Sequence, residues 1–195
     1  APADIVFTGC ATEANNLALL GVARAAERAG RRHLVVSAVE HPAVLEPARE
    51  LERRGWALTV VPVDAHGRVS PGDVAAAIRP DTALVSVMHA NNEVGTIQPI
   101  GEIAAITRAR GIPLHCDAAQ AAGKIVVDVE ALGVDLLTLA GHKFHATKGV
   151  GALYVRPGTA IEPILFGADQ ERGLRPGTEN VPAIVGIGAA ARMPT

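Results

Sequence analysis

The sequence predicts an α/β protein: a mainly parallel sheet with helices on both faces. Three observations carry that reading. Apolar runs of strand length alternate with segments of helical spacing along most of the chain. The chain is 49% hydrophobic but only 3% aromatic, so its core must come from Val, Leu, Ile and Ala, the mix of strands buried on both faces. The residues suited to chemistry follow directly after the apolar runs, where such sheets bind their ligands.

The first strand is DIVFTG, and EANNLALLGVARAAERAG after it is a helix, with Leu17, Leu20, Gly21 and Arg24 at helical spacing and Gly30 as a stop. The same alternation repeats as HLVVSAV with PAVLEPARELERRG, WALTVVPV with PGDVAAAIRP, and ALVSVMHA with IGEIAAITRARG. PLHCDAA and DLLTLAG continue the strands, GALYVR adds one more, and AARMPT closes the chain inside a helical pattern. The segment from Gly167 to Asn180 is too polar for core and long for a plain connector. No linker, low-complexity run or repeat divides residues 1–195, which read as one domain whose ends look cut.

A net charge of -2 on 195 residues argues against nucleic acid or an anionic membrane as the main partner. No stretch is long and apolar enough to span a bilayer. Two cysteines, Cys10 and Cys116, make no disulfide framework, so a reducing cytoplasm is the default expectation. Neither GxGxxG nor a Walker motif is present, so neither a dinucleotide nor a nucleoside triphosphate is indicated.

The residues after the strands form the candidate site. In TGCATE, backbone N–H groups at Ala11 and Thr12 and the Thr12 hydroxyl suit a phosphate at a helix N-terminus; an ordinary cap, with Thr12 bonding its own helix, is the alternative. Asp117 ends PLHC, where a carboxylate either keeps a heterocyclic nitrogen protonated or caps the next turn, and Gln120 lies three residues on. Lys143, between Gly141 and Phe144 and beside His142, suits a Schiff-base lysine that burial activates; a surface lysine is the plainer reading. Lys148 in TKGVG reads as a solvated turn lysine. His41, before Pro42 at a helix start, suits stacking on a planar ligand or moving a proton, or is simply an N-terminal residue beside Glu40. A zinc site from His115, Cys116, Asp117, His142 and His145 is disfavoured, because no CxxC or HExxH spacing is present.

Six motifs in register, FTGCATEANNLAL, EHPAVLEPARELERRG, VSVMHANNEVGTIQPI, HCDAAQAAGK, GHKFHATKGVGALYVR and QERGLRPGTENVPAIVG, resemble the large domain of class V aminotransferases, a superfamily of pyridoxal-phosphate enzymes. The likeness is strongest to cysteine desulfurases of the NifS and IscS type. It implies fold type I of these enzymes, with residues 1–195 as a cofactor-binding large domain incomplete at both ends and a small C-terminal domain absent. It also implies pyridoxal 5'-phosphate as cofactor, with Lys143 as the Schiff-base lysine, Asp117 paired with the pyridine nitrogen, and Gln120 and Asn92 near the phenolic oxygen. His41 would stack on the ring and move protons. Ala11, Thr12 and His142 would hold the phosphate, and Thr178 would reach the phosphate of a partner subunit in a homodimer. The implied reaction converts L-cysteine to L-alanine and passes sulfur as a persulfide to an acceptor or iron-sulfur scaffold protein. A related class V aminotransferase, a selenocysteine lyase or a non-catalytic remnant of the fold are the alternatives.

The resemblance places the persulfide cysteine downstream of this chain, and Cys10 and Cys116 do not sit on mobile loops, so the fragment alone is expected to be inactive. Three positions depart from the family pattern. Ala140 stands where a serine is usual, which removes one neutral donor worth about 1 kcal/mol. Thr147 replaces a proline, and GADQERG replaces a run of glycines, changes expected to loosen two loops.

Overall fold

The computed structural model describes residues 1–193. Within them, seven strands form one sheet: β1 (Ile5–Thr8), β2 (His33–Ser37), β3 (Ala57–Val61), β4 (Thr82–Ser86), β5 (Leu114–Asp117), β6 (Leu136–Ala140) and β7 (Gly151–Val155). Their spatial order is β1-β7-β6-β5-β4-β2-β3. The pairs joining β3, β2, β4, β5 and β6 are parallel, while β7 runs antiparallel to both of its neighbours. The reversal has a local cause. Only residues 141–150 join β6 to β7, and the span contains a three-residue 3-10 turn instead of a crossover helix.

Helices cover both faces as the alternation requires. α1 (Ala11–Glu27) and α2 (Pro42–Arg53) pack with Val6, Leu34, Val36, Leu84, Leu136 and Leu153 in one core. On the other face, α3 (Pro71–Ala77), α4 (Ile100–Ala109) and the short α5 (Val129–Leu132) cover Val35, Val85, Leu114, Cys116 and Leu137. Successive residues such as Leu34 and Val35 thus enter opposite cores, which is why β2, β4 and β5 are buried along their whole length. A third cluster joins α6 (Val181–Ala190) to Phe144 and Val150.

Several boundaries differ from the sequence reading. α1 ends at Glu27, three residues short of Gly30, which sits at φ 71° in the following turn. Its buried set differs from the pattern of Leu17, Leu20, Gly21 and Arg24: Leu17 and Gly21 are buried, Leu20 and Arg24 only partly, and Ala14, Asn15, Ala18, Leu19, Val22 and Ala23 are buried as well, because the helix crosses the sheet as well as lying against α2. α3 stops at Ala77, since Ile78 takes an extended conformation two residues before Pro80. α5 was not anticipated; Asp128 caps it by accepting from the Glu130 and Ala131 amides. α6 ends at Ala190, the first residue of AARMPT; Ala191 to Met193 lie beyond the helix, and Pro194 and Thr195 lie outside the described residues.

Two close approaches fix where α1 begins and how it lies. A Cβ on Gly151 would stand 2.5 Å from the Cys10 carbonyl carbon and 2.8 Å from the Ala11 nitrogen, so only glycine lets β7 meet the start of α1. A Cβ on Gly21 would stand 2.6 Å from the Glu162 carbonyl oxygen, whose amide donates back to Gly21.

The polar Gly167–Asn180 segment, which includes the GADQERG stretch expected to loosen its loop, makes defined contacts with β1 and α1. Glu171 and Arg172 hold φ of 47° and 58°, values costly for side-chain-bearing residues, yet both side chains are engaged. Glu171 Oε2 accepts from the Phe7 amide and Arg172 donates to the Ile5 carbonyl, so the segment pairs with the free edge of β1. Arg175 donates to Glu13 Oε1 at 2.7 Å, and Glu13 Oε2 accepts from the Gly9 amide, which fastens the same segment to the turn before α1.

Candidate active site

Beyond the carboxyl ends of β1, β2, β4, β5 and β6 lies a cavity of about 240 Å³ lined by Ala11, Thr12, Asn15, His41, Met88, Asn92, Asp117, Gln120, Ala140, His142 and Lys143, among others. Its floor is buried: Asn15, Met88, Asp117 and Ala140 are each under 5% exposed. Its rim is exposed and carries Thr12, His41, Asn92, His142 and Lys143.

One end of the cavity is the start of α1. Cys10 is the N-cap residue and makes no side-chain capping bond, so the first-turn amides of a 17-residue helix open on the cavity with the positive end of its dipole. The capping alternative for Thr12 therefore fails. That residue lies inside the first turn, and its carbonyl accepts from Asn16 Nδ2.

At the floor, Asp117 ends β5 and both of its oxygens are held. Oδ1 accepts from the Ala119 amide at 2.9 Å and Oδ2 from Asn15 Nδ2 at 2.7 Å. The capping reading of Asp117 is thus realised through Oδ1, and the residue also lines the cavity. Burial pushes its carboxyl above the usual range, and the hydrogen bonds from Ala119 and Asn15 pull it back, with the charge of His41 acting in the same sense.

The rim residues have defined orientations. His41 is the N-cap of α2, and its Nδ1 accepts from the Ala43 amide at 3.0 Å, which leaves Nε2 to carry the proton in the neutral ring. Gln120 Oε1 and the Gln120 carbonyl both accept from Lys124 Nζ, so the side-chain amide has its N–H donors free for the cavity. Of the twin asparagines, Asn91 is structural: its Oδ1 accepts from the Glu93 and Val94 amides, and its Nδ2 donates to the Val39 carbonyl. Asn92 is left to line the cavity.

The comparison that decides the family is with sequence profiles: the one for "Aminotransferase class-V" matches residues 1–194. The chain belongs to the class V aminotransferases. Within this family it is 50% identical over 190 residues to "Cysteine desulfurase IscS" of Dictyoglomus turgidum, covering 97% of this chain and 48% of that one. It is 52% identical over 190 residues to "Cysteine desulfurase IscS 1" of Archaeoglobus fulgidus, covering 97% and 49%. The chain spans about half the length of these relatives. Among solved structures it superposes with a TM-score of 0.94 on a "NIFS-LIKE PROTEIN" at 44% identity, covering 98% of this chain and 53% of that one. DndA from Streptomyces lividans gives 0.92 at 48% identity, with 98% and 55% covered. The class V fold is therefore the fold of this chain.

Eight of the nine residues singled out from sequence line this class V cavity. The ninth, Thr178, does not. It is exposed in a separate cavity with Phe7, Gly9, Glu171 and Arg175. Lys143 departs from the expectation of burial. In the 3-10 turn Gly141–Lys143 it is Gly141 and the following Phe144 that point inward, while His142 and Lys143 emerge on the rim. The histidines weighed for zinc are otherwise engaged or apart. His115 bonds Ser86 and Thr138 through its two nitrogens, and His145 is exposed at φ 71°. Among the described residues no group of three or more His, Cys, Asp or Glu side chains is placed to hold a metal ion, and no helix is long and apolar enough to cross a membrane.

Asn15 and Met88 were missed by sequence reasoning. Asn15 did carry a signal, since it shares a helix face with Ala18, Leu19 and Val22, all buried. A polar residue on such a face needs a buried partner, and Asp117 is that partner.

Proposed function

We propose that this chain is the cofactor-binding large domain of a cysteine desulfurase that uses pyridoxal 5'-phosphate. The observation that carries the reading is one cavity with three kinds of group: unbonded amides at the start of α1, the Asp117 carboxylate on the floor, and the Lys143 amine on the rim. That donor set fits a ligand with a phosphate, a basic ring nitrogen and an aldehyde. Bound there, the group supplies an electron sink for carbanion chemistry at the substrate amino acid.

The chain's own residues have these tasks. Ala11, Thr12 and His142 bind the phosphate at the positive end of α1. Asp117, oriented by Asn15 and Ala119, holds the proton on the ring nitrogen. Gln120 and Asn92 present side-chain N–H groups to the phenolic oxygen, Gln120 with its own oxygen already occupied by Lys124. Lys143 supplies the amine that binds the aldehyde carbon. His41 stacks on the ring face and moves protons at Nε2, because its Nδ1 lone pair is committed to the cap of α2.

On this reading L-cysteine is the substrate and L-alanine the product, and the sulfur leaves as a persulfide for an acceptor or iron-sulfur scaffold protein. Homology to the IscS proteins supports it. Cys116 is fully buried in the core and Cys10 lies in the turn before α1, so the persulfide cysteine belongs elsewhere in the full protein. Thr178 serves the partner's phosphate site in a homodimer, a role compatible with its place in a separate cavity. A cytoplasmic location suits both cysteines as free thiols.

The test is spectroscopic. Titrated with pyridoxal phosphate, the chain turns yellow, borohydride discharges the colour, and Lys143→Ala stays colourless. A wild type that remains colourless would be a non-catalytic remnant of the fold. Sulfide release from L-cysteine by these 195 residues alone would show that the nucleophile has been misplaced.

A further inference from the structure

Glu40 follows β2, stands one residue before His41, is only 5% exposed, and takes part in none of the steps above. Its Oε1 accepts from Ser37 Oγ at 2.5 Å and from the Met88 amide at 2.6 Å. Met88 follows β4 and lines the cavity floor, so one oxygen ties the loop after β2 to the loop after β4. Its Oε2 is buried without a partner among the described side chains and backbone.

A carboxylate shares its charge between two oxygens, and each needs donors when buried. Asp117 has that arrangement, with one donor on each oxygen. Glu40 has the other arrangement, with both donors on one oxygen as on the carbonyl of an acid. The groups facing it agree. Asp117 on β5 is a like charge that adds to the rise, and the Cys116 thiol beside it is pushed far up by burial, with Asp117 and Glu40 adding to the effect. Burial pushes the Glu40 carboxyl up to about 8, against the pull of the Ser37 and Met88 hydrogen bonds.

We propose that Glu40 is a positioning residue that works as an uncharged carboxylic acid: it clamps the end of β2 to the end of β4, setting His41 at the rim, and leaves the negative charge on the floor to Asp117. A charged Glu40 would compete with the ring nitrogen by driving a proton onto Asp117. The consequence for catalysis rests on the cofactor reading; the clamp and its protonation state do not.

Both are measurable on the chain without added cofactor. Infrared spectra near neutral pH show a protonated-carboxyl band that disappears in Glu40→Gln and persists in Asp117→Asn. Exchange of the Met88 amide stays slow in Glu40→Gln, which keeps an acceptor oxygen and no charge, and quickens at least tenfold in Glu40→Ala. A band untouched by Glu40→Gln, or Met88 exchange as fast in Glu40→Gln as in Glu40→Ala, overturns the proposal. Binding of pyridoxal phosphate by wild type is scored separately, so failure of the cofactor reading leaves both measurements interpretable.

Discussion

Two side chains on the cavity floor decide how firmly the site can hold a ligand. Ala140, 1% exposed at the end of β6, stands where the resemblance to the family implies a serine. Ala140→Ser returns one donor, and cofactor affinity is expected to rise about fivefold, equivalent to about 1 kcal/mol, in a fluorescence titration. Asn15→Ala removes the donor to Asp117 Oδ2 and leaves a buried carboxylate half satisfied. Stability is expected to fall by about 1–3 kcal/mol in denaturant unfolding, and Asp117 to titrate at still higher pH. These two residues also mark what sequence could reveal. That Lys143, Asp117 and His41 meet at one cavity was legible because ligand sites gather at strand ends, and Ala140 stood out as a departure from the implied motif. Glu40 looked like a plain neighbour of His41, because nothing local tells that β4 will donate the Met88 amide to it from 48 positions away.

At the scale of elements, the turn before α1 depends on segments distant in sequence. α1 begins where it does because β7 opens with a glycine and because Glu13 receives both Gly9 and Arg175. Gly151→Ala would force the methyl against backbone at 2.5 Å and 2.8 Å, with no flexible side chain to yield. A loss of about 1–3 kcal/mol is expected by chemical denaturation, with weaker cofactor binding than the same loss of stability produces elsewhere. The strand and helix alternation was readable from periodicity alone, whereas the direction of β7 was not. Period and composition do not encode direction; connection length does. The polar Gly167–Asn180 segment was recognised as unusual, but its order comes from Glu171 and Arg172 reaching the edge of β1, a pairing across 164 and 167 positions.

For the whole molecule, buried titratable groups set opposing pH limbs. His115, held between Ser86 and Thr138, is driven by burial from 6.5 to about 3, so the unfolded chain binds the extra proton; its contribution is full above pH 6.5 and is lost as pH falls towards 3. Glu40 acts in reverse. Its carboxyl is raised from 4.5 to about 8, so its contribution is full below pH 4.5 and is lost as pH rises through 8. A melting curve is expected to be highest between these limbs and to decline towards pH 8, with Glu40→Gln flattening the alkaline side. The same long-range architecture governs when the site can exist at all. Among the described strands β1 pairs with β7 alone, so the strand that leads into the turn before α1, Ile5 to Thr8, has no strand partner until Gly151 to Val155 has been made. At about 5–20 residues per second, the ribosome makes that strand roughly 7–30 seconds before its partner, so its edge stays open to other pairings for that long during synthesis.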